Sequence, residues 1–165
     1  MKLEIATLAG GCFWGLEELI NKIPGVTNVE AGYTGGSIVN PNYDQVKTGK
    51  TGHAESVQIT FDVDILSFET LLLHYFKMHD PTTKNQQGND LGSQYRSAIF
   101  YHSEEQKEIA QKVILRVEKS NAWIKPVVTE VNPFEIWWKA ENFHQDYLQK
   151  NPNGYTCHFI RKINF

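Results

Sequence analysis

The 165-residue sequence is poor in cysteine, with only Cys12 and Cys157, near opposite ends of the chain. A secreted disulfide scaffold is shorter and far denser in cysteine. Two distant thiols in a reducing compartment mean either two buried side chains or a redox pair. Long hydrophobic runs are absent too, and none approaches the ~20 residues of a membrane span. Neither sign of charge dominates: 16 Lys and Arg face 19 Asp and Glu, for a net charge of −3 and a pI near 6.1. The basic residues are scattered, so no surface advertises nucleic acid or anionic lipid. The opening "MKLEIATLAGGCFWG" carries one lysine, a glutamate and no sustained apolar stretch, which argues against a signal peptide and makes the cytoplasm the expected location. Repeats, low-complexity tracts and Ser/Gly linkers are missing, so residues 1–165 read as one domain, large enough for its own core.

The elements that are present alternate. "LEIATLA" (3–9) predicts a strand, and residues 12–23 a helix closed by Pro24-Gly25. Strands are expected at 26–33, 54–61, 97–101 and 125–131, and helices at 67–79 and 141–150. Ser67 is an expected N-cap, and Ser103 with Gln106 has the pattern of a capping box before a helix carrying Ile109, Val113, Ile114 and Val117. This order implies a sheet with helices packed on it, an α/β (α+β) sandwich. Two connections, 34–53 and 80–94, are long for a compact domain. Their aromatic, acidic and turn-forming residues favour ordered binding loops.

The helix of residues 12–23 begins at a cysteine. Unpaired N–H groups and the helix dipole favour a thiolate there, lowering the pKa from about 8.5 into a range of roughly 3.5–7.5. Gly10 and Gly11 allow a sharp turn from strand into helix. The competing reading is a small buried cysteine at a crowded junction. Other motifs fail on single letters: a dinucleotide fingerprint needs glycine at position 12, a P-loop needs glycine at 44, and a phosphatase loop needs arginine at 18, where the residues are Cys12, Asp44 and Glu18. No Cys-x-x-Cys pair is present, and the six histidines lack metal-ligand spacing, so no metal is expected.

A second signal lies in "HAESVQITF". Alternation puts Glu55 in one row with Val57, Ile59 and Phe61. Desolvation on such a row raises a carboxyl pKa and produces a general acid. The alternative is a strand-end glutamate turned to solvent. From the residues alone, three functions remain open: a thiol redox enzyme, a hydrolase or acyltransferase with Cys12 as nucleophile and His53 as base, and a binding module with inert thiols.

Four blocks in order, "GGCFWG" (10–15), "NPNYDQVKTGKTGHAE" (40–55), "DLGSQYRSAIFY" (90–101) and "AENFHQDYLQKNPNGYTCHF" (140–159), resemble the peptide methionine sulfoxide reductases of the A type over nearly the whole chain. The resemblance implies a two-layer sandwich around a central mixed sheet, and reduction of the S epimer of methionine sulfoxide, free or in proteins. It puts the nucleophile on Cys12, the acid on Glu55 and the sulfoxide-oxygen donors on Tyr43 and Tyr95. The methyl-binding wall falls on Phe13 and Trp14, an acidic residue near the site on Asp90, and the resolving cysteine on Cys157. It further implies a Cys12 sulfenic acid, a Cys12–Cys157 disulfide, thioredoxin or another external dithiol as reductant, and no bound cofactor; the protein is expected to be a monomer. Two departures stand out: no third cysteine follows Cys157, and position 86 is glutamine where relatives often carry arginine.

Overall fold

The computed structural model describes residues 1–165. The chain opens with β1 (Leu3–Ala9), α1 (Phe13–Asn21), β2 (Val26–Thr34), α2 (Tyr43–Lys47), β3 (Ala54–Asp62) and α3 (Phe68–Met78). It continues through β4 (Gln86–Gln87), β5 (Asp90–Leu91), β6 (Ala98–Tyr101), α4 (Glu104–Lys119), β7 (Glu130–Pro133), β8 (Trp138–Lys139) and α5 (Tyr147–Lys150). Six strands form one sheet in the order β7-β6-β1-β3-β2-β8. All pairs are antiparallel except β6 with β7, so the sheet is mixed.

Side-chain alternation divides the sheet into two faces. Ala6, Leu8, Val57, Ile59, Phe61 and Ile99 point into one core with Leu16 and Ile20 of α1, Leu71, Leu72 and Phe76 of α3, and Val113 and Val117 of α4. The opposite face carries a smaller cluster of Ala9, Ala54, Ala98 and Phe100, covered by Phe134 from a loop. Helices therefore form one layer and the sheet the other, the two-layer arrangement that the alternation and the resemblance implied.

Capping fixes several boundaries. Ser67 accepts the Thr70 N–H and Ser103 the Gln106 N–H, as expected. The Gln106 side chain reaches one residue further than a capping box, accepting from His102 N at 2.9 Å. The full reciprocal box occurs instead at α2, between Asn42 and Gln45. Both long connections are ordered, one by α2, the other by the β4–β5 hairpin and a 3-10 turn at Ser93–Tyr95.

Two expected elements differ. The strand expected at 125–131 pairs only over Glu130–Pro133, and its approach is tied to a loop through Val128 N–H and Pro81 O. The helix expected at 141–150 breaks into a 3-10 turn at Asn142–His144 and α5, with Asp146 between them in the left-handed region at φ 52°.

Candidate active site

The strand-to-helix turn between β1 and α1 places Cys12 at the N-cap position of α1, nearly buried. Gly11 makes the turn at φ +96°, a conformation that favours glycine. Glu55, second residue of β3, points into the helix layer and is 1% exposed. Its Oε1 accepts the backbone N–H of Phe13 at 3.2 Å, and its Oε2 has no protein partner. Burial, reinforced by the charge of Asp90, pushes the Glu55 carboxyl up to about 8. The solvent-facing alternative for Glu55 is thereby excluded.

Cys12 departs from its expected chemistry. Burial pushes its thiol well above the ordinary range, the Glu55 charge adds to this, and the Trp14 N–H pulls the other way. The helix terminus does not yield a resting thiolate because burial and the Glu55 charge outweigh its pull.

Tyr43 begins α2, and Tyr95 ends the 3-10 turn before β6. Burial raises both phenols, Tyr43 to about 12, and both feel the Glu55 charge, so both keep their protons as donors. Phe13 is fully buried. Its ring centroid lies 5.7 Å from Tyr33, 6.5 Å from Tyr43 and 5.2 Å from His144. Trp14 is half-buried, stacked on Tyr147 at 3.8 Å. Asp90, on β5, faces this cluster, and its charge is felt by Cys12, Glu55, Tyr43 and Tyr95.

A thiol, a protonated buried carboxyl and two phenols beside an aromatic wall suit an oxygen that gains negative charge. Peptide methionine sulfoxide reductase is the family whose description matches residues 4–164. The chain is 52% identical to peptide methionine sulfoxide reductase MsrA 1 of Mesorhizobium japonicum, over 96% of this chain and 90% of that protein. It superposes on Mxr1 of Saccharomyces cerevisiae in reduced form with a TM-score of 0.91 and 34% identity, covering 98% and 93% of the two chains. A structure of Mxr1 in complex with Trx2 shares the fold at 23% identity and a TM-score of 0.65, covering 98% of this chain and 91% of that one. The chain belongs to the A-type peptide methionine sulfoxide reductases. Its activity is the thiol-dependent reduction of peptide methionine sulfoxide.

In this reductase Cys157 is a free thiol, as is Cys12. Cys157 Sγ faces Asp90 Oδ2 at 3.7 Å and the Gln87 carbonyl at 4.0 Å. Its segment is docked on the Cys12 turn: His158 Nε2 donates to Gly10 O at 2.6 Å. A Cβ at Gly15 would collide with His158 Nδ1 and Thr156 Oγ1, so the last glycine of "GGCFWG" is the seat of the C-terminal segment.

The reductase also uses residues that sequence reasoning left without a role. Glu141 accepts the Tyr33 hydroxyl at 2.8 Å and the Tyr43 N–H at 3.0 Å, which fixes α2 against the wall. His144 Nδ1 accepts the Trp14 indole N–H at 3.0 Å. Glu17 of α1, itself buried, accepts the Asp146 N–H at 2.8 Å and so sets the turn that presents Tyr147 to Trp14. The signal for Glu141 and His144 was the "AENFHQDY" run, whose polar residues look like an exposed helix face. Gln86, in place of the frequent arginine, braces its own hairpin through Gly88 O.

His53 is no base for Cys12. Its Nδ1 accepts the Gly36 N–H at 3.0 Å and its Nε2 donates to Ile38 O at 2.8 Å, which occupies both nitrogens. A cavity of about 310 Å³ lies beside it, lined also by Thr34, Phe100, Asn132 and Trp138, and includes none of the cluster around Cys12. No three His, Cys, Asp or Glu side chains converge closely enough to share a metal ion.

Proposed function

We propose that the protein repairs oxidised methionine by reducing the S epimer of methionine sulfoxide, in proteins or free, through a Cys12 sulfenic acid and a Cys12–Cys157 disulfide that thioredoxin reduces. It does so as a cytoplasmic monomer, with no bound cofactor, under oxidative stress. The observation that carries the reading is the unpartnered Oε2 of a buried, proton-holding Glu55 beside the Cys12 thiol.

Attack of sulfur on a sulfoxide drives negative charge onto oxygen, which leaves only when protonated. An ordinary glutamate costs roughly 3.7 kcal/mol to protonate at pH 7, from its pKa of about 4.3. A carboxyl raised to about 8 is already protonated there. Glu55 gives its proton to the sulfoxide oxygen and takes up the one released by Cys12, so the buried pair never holds a second charge. Tyr43 and Tyr95 donate hydrogen bonds to the growing oxyanion, each worth about 10²–10³ in rate at comparable sites. Trp14, backed by Phe13, receives the methyl group and excludes water. Oxygen ends on Cys12 as sulfenic acid and methionine leaves. Cys157 then condenses with that acid to form the disulfide, and an external dithiol restores both thiols by exchange. Family membership supports the epimer preference, and Mxr1 in complex with Trx2 supports thioredoxin as the reductant.

The test is to count products from reduced protein given each epimer. One equivalent of methionine and loss of two thiols are expected from the S epimer, becoming catalytic when thioredoxin and its reductase are added. Equal turnover of the R epimer, or no thiol loss, overturns the reading.

A further inference from the structure

We propose that Asp90 is a catalytic residue of the second half-reaction, taking the proton of Cys157 as that thiol attacks oxidised Cys12. The inference rests on the sulfenic-acid route above and goes beyond it by assigning a base to disulfide formation.

Asp90 Oδ2 faces the Cys157 thiol at 3.7 Å, while its Oδ1 accepts the Tyr155 hydroxyl at 3.2 Å. One carboxylate thus holds the segment at two points, two residues apart. The other acceptor at Cys157 is the Gln87 carbonyl, which cannot keep a proton. His158, next in sequence, is turned away: its Nε2 donates to Gly10 O and its Nδ1 is buried against Gly15. The hairpin carrying Asp90 is itself registered to the Cys12 turn. Gln87 makes two bonds of 2.8 Å to the Asp80 backbone, and its side chain packs against Gly11. The Tyr155 hydroxyl also faces Cys157, and the Cys157 charge is felt by Cys12 and Arg161; none of the three is a base at neutral pH. Its own thiol is held above the ordinary value by burial and by Asp90, so the attacking thiolate must be made at the moment it is needed.

The step balances without an outside reagent. The Cys157 S–H bond breaks and its proton passes to Asp90. The sulfur electron pair forms the S–S bond, the Cys12 S–O bond breaks, and hydroxide leaves as water with the proton of Glu55. Cys157 sulfur is oxidised by one unit and Cys12 sulfur reduced by one. Solvent then returns Asp90 and Glu55 to their starting states.

The experiment follows the decay of the Cys12 sulfenic acid by rapid quenching, dimedone trapping and mass measurement. The acid is generated by the S-sulfoxide or, where a variant is slow in the first half-reaction, by hydrogen peroxide. In Asp90→Asn, conversion to disulfide should slow at least ~10-fold at pH 7, a conservative share of what a general base supplies. It should then recover about tenfold per pH unit as solvent generates the thiolate, a slope the wild type lacks. Asp90→Glu should restore much of the rate, and Tyr155→Phe should slow decay only a few-fold with the wild-type pH profile. Asp90→Ser serves if the asparagine disturbs the hairpin. Wild-type decay in Asp90→Asn, or slow decay with an unchanged pH profile, overturns the proposal and leaves Asp90 a brace. Absence of sulfenic acid and methionine in the wild-type enzyme instead overturns the route on which it rests.

Discussion

Glu55 and Cys12 decide each other's protonation. Each is desolvated; the Glu55 charge further penalises a thiolate on Cys12, while the Cys12 thiol only partly offsets the burial of Glu55, so the pair rests with both protons in place. The proposed route uses the Glu55 acid form, so kcat/KM should fall as pH rises through about 8. Stability moves the same way. The folded-state pKa lies above the unfolded value near 4.5, so the stability tied to the neutral form is complete below 4.5 and is lost as pH rises through about 8. In Glu55→Gln we expect kcat to drop about 10²–10³-fold, the range for a lost general acid or oxyanion donor. Thermal melts should show the variant gaining on the wild type between pH 5 and 8, by an amount on the order of a few kcal/mol. Equal pH dependence of the two melting curves would mean that Glu55 is not a buried acid. The inward position of Glu55 was legible in sequence because a strand has a period of two and its row was otherwise apolar. The resting thiol of Cys12 was not, because its burial and the Glu55 charge come from tertiary packing and outweigh the pull of the helix terminus.

Elements show the same division. Amphipathic spacing located α1, α3 and α4, and local caps marked the starts of α3 and α4. The segment after Ala140 was unreadable because its conformation is dictated from elsewhere. Gln145 donates to Ala31 O and accepts from Ala31 N, serving as a short extension of the sheet edge. Asp146 takes a left-handed conformation that aspartate tolerates better than most residues. The acceptor of its N–H is Glu17 of α1, the helix that begins at Cys12. Glu17→Ala should therefore remove the acceptor of the Asp146 N–H, costing about 0.5–1.5 kcal/mol. It should also loosen Tyr147 on Trp14, raising KM for the sulfoxide several-fold with a smaller change in kcat. Glu17→Gln, which keeps an acceptor, should recover most of both effects. Steady-state kinetics and urea melts decide this, and an unchanged KM in the alanine variant would remove Glu17 from the positioning of the wall.

At the scale of the whole molecule, the fold solves a problem of delivery. Cys12 and Cys157 lie near opposite ends of the chain, yet the C-terminal segment crosses the helix layer and is pinned there before any oxidation. Its anchors are His158 on Gly10 O, Tyr155 on Asp90, and the Arg161 N–H on Lys77 O, with the Arg161 guanidinium over Trp123. The order of the motif blocks pointed to Cys12 and Cys157 as partners, but not to a C-terminal segment docked on the Cys12 turn while both thiols are free, because the seat is made by a missing side chain at Gly15. On the proposed route, a docked Cys157 thiol would capture the sulfenic acid before a second oxidation carries Cys12 to the sulfinic state, from which a thiol cannot return it. Removing that thiol separates the two halves of the cycle. Cys157→Ser should still yield one equivalent of methionine per enzyme and a dimedone-reactive Cys12. Thioredoxin-driven turnover should fall at least ~100-fold, because no disulfide forms for the dithiol to attack. Repeated exposure to sulfoxide and peroxide should also drive Cys12 to the sulfinic acid faster than in the wild type, measured as a 32-dalton mass increase, the mass of two oxygen atoms. Unchanged thioredoxin turnover in this variant would show that the reductant reaches Cys12 directly, and the docking of the C-terminal segment would then need a purpose other than resolution.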